Sequence, residues 1–189
     1  MLKRARAGAV KVRLARAVGA AEATRFYRVA SARVLRRLAR DPRWTTWLAV
    51  TPDTAVRDRT WPRRIPRVAQ GPGGLGARMQ RIMNELPPGP VVIVGSDIPG
   101  ISPEHVAAAF RLLGRHDAVF GPAEDGGFWL VGLRRRPRVP RAFTDVRWSG
   151  PHALADTLRN LRGLSVGFVA TLRDVDREAD WRRWRRRSG

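Results

Sequence analysis

The sequence predicts an α/β protein in which a largely parallel sheet is covered by helices on both faces. Short apolar runs, of which 90–96 (PVVIVGS) is the clearest, alternate with longer segments whose apolar residues recur at helical spacing. Strands that alternate with helices favour a sheet that is buried on both faces. The chain has 189 residues, of which 43% are hydrophobic, and it shows no internal repeat. A single domain over residues 1–189 is therefore expected.

The first half of the chain contains two predicted helices and two predicted strands. Residues 20–40 carry apolar side chains at helical spacing, and Asp41-Pro42 ends that helix. Residues 45–51 (TTWLAVT) are rich in β-branched and aromatic side chains and predict a strand. A short strand is expected near 67–69. The glycine-rich turn that follows leads into a helix over 77–86.

The second half of the chain begins with the strand at 90–96. Ser102, Pro103 and Glu104 are typical of a helix start, because they supply a hydroxyl cap, a proline in the first turn and an early acid. The remaining predicted elements are strands at 117–122 and 127–133, a helix at 152–163, a strand at 166–172 and a final helix at 177–187.

Composition excludes several classes of site. The chain contains no cysteine, so it has no disulfide, no thiolate metal ligand and no cysteine nucleophile. No apolar run approaches the ~20 residues that a membrane-spanning helix needs. We therefore expect no membrane span and a cytoplasmic location.

The formal net charge is +21, and nearly all of the positive charge is arginine. This preference, together with abundant Ala, Gly, Pro and Val, is typical of a GC-rich genome. The alternative is a surface that binds a polyanion. The strongest local case is 181–189 (WRRWRRRSG), where arginines interleaved with Trp181 and Trp184 could contact nucleic-acid phosphates and bases. The simpler interpretation is a last helix whose tryptophans pack inward while its arginines are solvated.

Acidic residues follow three of the predicted strands. They are Asp97, Glu124, Asp125, Asp174 and Asp176. Ligands of open α/β sheets bind beyond the carboxyl ends of the strands, so these carboxylates could converge on one cleft. Mg²⁺ commonly takes one or two protein carboxylates and completes its shell with water and substrate phosphates. Asp97 is therefore sufficient to begin a phosphate-metal site.

Each of these positions also has a simpler interpretation. Asp97 could cap backbone amides in the turn at 98–100, and Asp176 could cap the final helix. Gly126 and Gly127 could either let the backbone approach a ligand or close a tight hairpin.

The N-terminal segment 6–13 (RAGAVKVR) supplies the opposite charge. Its Gly8, Lys11 and Arg13 could cradle phosphates through backbone amides and cationic side chains. Basic segments occur throughout this chain, so the pattern alone does not distinguish a phosphate loop from a solvated one.

Five stretches, taken in order, resemble a known family. They read GAVKVRLARAVG, GLGARM, GSDIPGISPEHVAAAF, GPAEDGGFWLVGL and LRDVD. The sequence resembles the radical-SAM/selenodomain-associated transferases, a bacterial glycosyltransferase family also known as DUF2064. This family is similar to the nucleotide-diphospho-sugar transferase (GT-A) superfamily, and the section from Gly95 to Leu133 is the most specific part of the resemblance.

The resemblance implies a Rossmann-like, three-layer α/β/α fold with a mostly parallel mixed sheet. It implies a nucleoside triphosphate or nucleotide-sugar substrate and a divalent metal, Mg²⁺ or Mn²⁺. By position, it implies phosphate or nucleotide contacts from Lys3, Gly8, Lys11, Arg13 and Arg78. It implies metal contacts from Asp97, Asp174 and Asp176, catalytic roles for Asp97 and Asp125, and an acceptor side at Glu124, Gly126 and Gly127.

Three departures from the family pattern bear on activity. The first strand is reduced to Met1-Leu2-Lys3, so either the start is assigned too late or the fold is affected. Where the family usually has Lys-Ala-Pro, this chain has Lys3-Arg4-Ala5. Where the family usually has Lys-Thr-Arg-Leu, this chain has Lys11-Val12-Arg13-Leu14, so the threonine hydroxyl near the phosphates is absent. Gly73-Gly74-Leu75-Gly76 lacks the acid of Gly-Asp-Leu-Gly.

The leading hypothesis is a metal-dependent transferase with a diphosphate leaving group. Glycosyl and nucleotidyl transfer both build negative charge on the diphosphate, so both need cations there. The alternatives are a non-catalytic protein that binds nucleic acid or another polyanion through its arginines, and a degenerate family member without turnover. The sequence leaves the donor, the acceptor and the oligomeric state open.

Overall fold

The computed structural model describes residues 1–188 and shows seven strands, six α-helices and one short 3-10 helix in that part of the chain. In order they are β1 (Leu2–Lys3), α1 (Val12–Val18), α2 (Ala20–Ala39), β2 (Leu48–Thr51), the 3-10 helix (Asp53–Arg57), β3 (Arg67–Ala69), α3 (Leu75–Glu85), β4 (Val91–Val94), α4 (Pro103–Leu113), β5 (Ala118–Pro122), β6 (Phe128–Leu133), α5 (Ala153–Asn160), β7 (Val166–Phe168) and α6 (Glu178–Ser188).

Every element predicted from the sequence is present, most of them a little shorter than expected. The helix α1 was not predicted. It follows Lys11, whose backbone is left-handed (φ 48°), an uncommon conformation for a residue with a side chain. The start of α4 was predicted correctly, because Ser102 caps the helix and Pro103 occupies its first turn.

The strands form two hydrogen-bonded groups. In the first, β1, β2 and β3 are parallel and lie in the order β1-β2-β3. In the second, the order is β4-β6-β5-β7, with β6 antiparallel to both neighbours and β7 parallel to β5. The two groups adjoin at β1, because the N-terminal ammonium of Met1 donates a hydrogen bond to the carbonyl of Val94 at 2.9 Å.

Helices cover both faces of the second group, which confirms the three-layer α/β/α architecture. Along β5, Phe120 contributes to a core with the helices α3 and α5, whereas Val119 faces the core formed with α2 and α4. The same alternation occurs along β6, where Val131 and Leu130 lie in the two different cores. Within residues 1–188 no helix combines the length and apolarity that crossing a membrane requires.

A cavity of about 630 Å³ lies between β2 and β4. Its lining includes the apolar side chains Trp44, Trp47, Ile82, Val91 and Phe110. Met1 stands at one end of this cavity, and burial lowers the pKa of its ammonium from 8.0 to about 6.

A short apolar peptide joined to Met1 is therefore expected to stabilise the fold. With an extension of sequence Met-Val-Ile-Val, the free energy of unfolding should rise by about 2 kcal/mol, because burial of several apolar side chains outweighs the entropy of ordering them. The melting temperature should rise by about 4–8 °C. The matched control is an extension of sequence Met-Gly-Ser-Gly. Equal melting temperatures for the two extended proteins would show that the cavity does not accept a strand.

Candidate active site

A cleft of about 520 Å³ opens at the carboxyl ends of β1, β2 and β4. This is the edge at which ligands bind in open α/β sheets. Residues from the N-terminal loop, the end of β4, the β5–β6 turn and the segment after β7 line it. The charged residues in its lining are Lys3, Lys11, Asp97, Asp125, Asp174 and Asp176.

Asp97 is held at this edge by the loop that follows β4. The N–H of Gly95 continues the pairing with β6, because it donates to the carbonyl of Trp129 at 2.9 Å. Ile98 and Ile101 are buried and anchor the rest of the loop. The side chain of Asp97 therefore remains about one-third exposed and faces Lys11, with 2.8 Å between its Oδ2 and Lys11 Nζ.

Asp174 and Asp176 reach the same cleft from the segment after β7. Between them Val175 is buried in the core formed by α1, α2 and α6. In an extended segment, residues two apart lie on the same side, so burying Val175 directs both carboxylates toward the cleft. Asp176 Oδ1 lies 2.5 Å from Lys11 Nζ, and Asp174 Oδ2 lies 4.0 Å from it. Asp176 thus pairs with Lys11 and does not cap α6, as one interpretation of the sequence had suggested.

Lys11 lies at the centre of this acidic cluster. Its side chain is only 5% exposed. Burial alone would lower the pKa of Lys11, but the charges of Asp97 and Asp176 outweigh burial and raise it above its ordinary value. The ammonium is therefore charged, and it neutralises part of the negative charge that the three carboxylates bring together.

The environment of Asp174 disfavours its charged form. Burial and the neighbouring Asp176 raise the pKa of Asp174 from 3.8 to about 6, although Lys11 acts in the opposite direction. An aspartate whose pKa is higher in the folded state than in the unfolded state costs stability once it is ionised. That cost develops between about pH 4 and pH 6 and stays constant above this range.

The substitution Asp174→Asn is accordingly expected to stabilise the protein at pH 7.5. The gain should be about 2 kcal/mol, because the amide carries no charge to be desolvated or repelled. At pH 4 the advantage should disappear, since Asp174 is then protonated in the folded protein. Urea unfolding at both pH values measures this, with the exposed Glu85→Gln as control. A stability difference that is independent of pH would contradict the prediction.

The turn between β5 and β6 places the other acidic residues in different positions. Asp125 is exposed at the edge of the cleft, where its Oδ1 accepts a hydrogen bond from the N–H of Gly127 at 3.0 Å. Gly126 closes the turn with a positive φ of 84° and packs against Pro151, so the tight hairpin explains this glycine, whereas Gly127 lines the cleft. Glu124 points away from the cleft and pairs with Arg173.

The structure separates the basic residues that the sequence grouped as phosphate contacts. Lys3 and Lys11 line the cleft. Arg13 is exposed at its rim, 3.6 Å from Asp176, and donates to the carbonyl of Ser149 at 3.3 Å. Gly8 lies outside the lining. Arg78 is also outside it and donates to the carbonyl of Gly73 at 2.8 Å within its own turn.

Tyr27 and Gln70 are polar residues of the cleft that were not predicted from the sequence. Tyr27 hydroxyl accepts the N–H of Lys3 at 2.9 Å and lies 3.3 Å from Ser96 Oγ, so it joins β1 to the loop after β4. Gln70 is buried and donates to the carbonyls of Leu2 and Ala49. Gln70 follows β3 directly, so the signal that indicated Asp97, a polar residue at the end of a strand, could have found it.

The donor set suits a hard divalent cation, because carboxylate oxygens are the ligands that Mg²⁺ prefers. Among residues 1–188, however, no three His, Cys, Asp or Glu side chains are arranged to hold a metal directly. The ammonium of Lys11 lies between Asp97, Asp174 and Asp176, in the position that a metal bound by these carboxylates would occupy. The cluster thus fits a cation by charge and by donor chemistry, and Lys11 would have to yield part of its contacts to a metal.

Comparison with known proteins places the chain in a family and finds similar solved structures. Residues 34–150 match the model of the DUF2064 family, described as uncharacterized proteins conserved in bacteria. The fold is similar to the crystal structure of a protein from Desulfovibrio desulfuricans G20 that is described as a nucleotide-diphospho-sugar transferase. The TM-score is 0.86 and the sequence identity 31%, over 93% of this chain and 80% of the other. No curated protein matches the chain.

Proposed function

The chain belongs to the DUF2064 family, and on that premise we propose that it is a metal-dependent transferase that takes a glycosyl group from a nucleotide-diphospho-sugar. The observation that carries the proposal is that Asp97, Asp174 and Asp176 all face the ammonium group of Lys11 at the carboxyl edge of the sheet. The choice of donor is supported by the similar structure, which is described as a transferase of this kind.

The cleft supports this function by its size and charge. Its volume of about 520 Å³ lies within the ~300–1,000 Å³ typical of small-molecule sites. The diphosphate of the donor would lie near Lys3 and Lys11. Mg²⁺ or Mn²⁺ would be held by Asp97 together with Asp174 or Asp176, and it would supply positive charge for the leaving group.

The reaction requires an acceptor with a hydroxyl group. A bond forms between the acceptor oxygen and the anomeric carbon, and the bond between that carbon and the phosphate oxygen breaks. The electron pair leaves with the nucleoside diphosphate, and the acceptor proton passes to a carboxylate at the edge of the cleft. Asp125 is the candidate, because it is exposed there and its backbone is held by the closed β5–β6 turn.

Thermal unfolding in the presence of candidate donors tests the proposal. We expect one nucleotide sugar to raise the melting temperature in a Mg²⁺-dependent manner. At ~100 times the dissociation constant the stabilisation is about 2.7 kcal/mol, or roughly 5–10 °C for a chain of this size. The shift should be lost in Asp97→Asn and retained in Glu85→Gln. A shift with nucleoside triphosphates alone would favour nucleotidyl transfer instead.

A polyanion-binding function is the second candidate, and a separate surface favours it. A groove of about 760 Å³ at the far end of β6 is lined by six arginines and a single acid, Asp117.

The tryptophans of the C-terminal segment do not form a polyanion-binding surface. Trp181 is buried and Trp184 packs edge-on against Phe26, as the simpler interpretation predicted. The last residue of that segment, Gly189, lies outside the described residues. Binding of any polyanion, steeply weakened by salt and unaffected by Mg²⁺ or by Asp97→Asn, would replace the transferase proposal.

A further inference from the structure

A second cavity, of about 580 Å³, lies on the other side of Asp174 from the cleft. It is an open cavity bordered by α2, the loop after β4, the β5–β6 turn, the segment 172–175 and α6, and its Arg37 and Arg183 are exposed. Asp174 is the only residue common to the linings of both cavities in the described part of the chain. Molecules bound in the two cavities would therefore meet at Asp174.

The charges of this second cavity are unbalanced. It is lined by four arginines, Arg33, Arg37, Arg173 and Arg183. Of its acids, Glu124 and Asp180 both pair with Arg173, and Asp174 lies by Lys11. Within residues 1–188, the other three arginines have no carboxylate within 4.0 Å.

Two of the three remaining guanidinium groups contact uncharged partners. Arg37 donates to the carbonyl of Pro99 at 3.0 Å. Arg33 lies over the ring of Trp184, with 5.7 Å between its Cζ and the ring centroid. Like charges that share a cavity repel one another, and an anion placed among them removes this cost. Guanidinium groups suit phosphate and carboxylate in particular, because their N–H donors match the spacing of two anionic oxygens.

We propose that this cavity, lined by Arg33, Arg37 and Arg183, binds the acceptor and that the acceptor carries a phosphate or carboxylate group besides its reacting hydroxyl. This inference rests on the proposed transfer function. The anionic group binds among the arginines, and the hydroxyl end extends past Asp174 toward the donor in the cleft. Trp184, half-buried at the wall, offers an apolar surface to the body of the acceptor.

Isothermal titration calorimetry at constant ionic strength tests this binding site. The probes are glycerol 3-phosphate, glycerate and, as the uncharged reference, glycerol. We expect the wild-type protein to bind one or both anions and not glycerol, and the stronger of the two identifies the anionic group. In the double variant Arg33→Gln/Arg183→Gln the affinity should fall at least tenfold. The matched control is Arg36→Gln/Arg40→Gln, which removes two exposed arginines of the same region that lie outside the cavity.

A second variant, Arg37→Gln, tests anion binding without removing a packing contact of the fold. Arg37→Gln leaves the contact between Arg33 and Trp184 intact, and it should weaken anion binding severalfold without lowering the melting temperature. If glycerol 3-phosphate and glycerate bind equally to wild type, cavity variants and control, the proposal is wrong. Failure of the transferase proposal looks different, because nucleotide sugars would then cause no shift that depends on Asp97 while the anions still bind the arginines.

Discussion

Replacing Lys11 with methionine is expected to lower the free energy of unfolding by about 3 kcal/mol in the absence of divalent cations. The reason is that Asp97, Asp174 and Asp176 would keep their positions and lose the cation they share. Methionine has a similar length and an apolar stem, so packing changes little while the charge is removed. For a chain of this size the melting temperature should fall by about 6–12 °C.

Differential scanning calorimetry with and without Mg²⁺ measures this effect. The matched control is Lys3→Met, which removes the other lysine of the chain from an exposed position at the same cleft. We expect Lys3→Met to change the stability little. Added Mg²⁺ should restore much of the loss in Lys11→Met, because the point that Lys11 vacates is then open to a metal held by Asp97 and one of the other two carboxylates. If Lys11→Met is as stable as the wild type and indifferent to Mg²⁺, Lys11 is not the counter-ion of this cluster.

The substitution Gly126→Ala is expected to have an effect of similar size. Gly126 has φ +84°, a conformation that costs a residue with a side chain about 1–2 kcal/mol. A methyl group there would lie 2.4 Å from the carbonyl oxygen of Pro151, which is backbone and cannot turn aside. Overpacking of this kind costs typically 1–3 kcal/mol. We therefore expect a total loss of about 3 kcal/mol, or about 6–12 °C in melting temperature.

The neighbouring glycine provides the control for Gly126→Ala. Gly127 has an ordinary φ, and the nearest atom to a methyl group there is Oδ1 of Asp125, at 3.1 Å, on a side chain that can move. Gly127→Ala should therefore cost under about 1 kcal/mol. Urea unfolding of both variants measures the difference. Equal losses would mean that the contact between the β5–β6 turn and Pro151 does not hold the turn in place.

The contact of Gly126 with Pro151 also links the fold to the site. The carbonyl of Gly126 accepts a hydrogen bond from the N–H of Leu154 in the first turn of α5. The turn that carries Asp125 is thus positioned by α5, and Gly126→Ala should lower the rate of glycosyl transfer as well as stability. Gly126 and Gly127 follow one another in the sequence, yet only one of them is required by the packing.

Much of the fold could be predicted because its signals are local. The alternation of apolar runs and helical patterns depends on residues within a few positions of each other, and it yielded the order of the elements and the covered sheet. The capping residues of α4 are equally local. The helix α1 was missed because it is short, with only Leu14 buried, and it follows a lysine in a left-handed conformation.

The site could be predicted in part. Asp97, Asp125, Asp174 and Asp176 line one cleft because the segments that carry them lead to the same edge of the sheet, which is a consequence of topology. The roles proposed for them remain predictions. Lys11 was expected to contact phosphate, and in this structure its contacts are carboxylates. Charge alone does not determine a lysine's partner in a chain with so many basic residues.

The sequence by itself determined the fold class, the strand ends and the chemistry available at each of them, because periodicity and turn residues act over short distances. Only the tertiary structure decided which of those groups meet. It placed Lys11 among three carboxylates, left Arg78 in its own turn and gathered Arg33, Arg37 and Arg183 in a second cavity behind Asp174. The direction of a side chain depends on which of its neighbours are buried. Val175 is buried in the core, and this directs Asp174 and Asp176 toward the cleft. Which residues become buried is determined by the packing of the whole molecule.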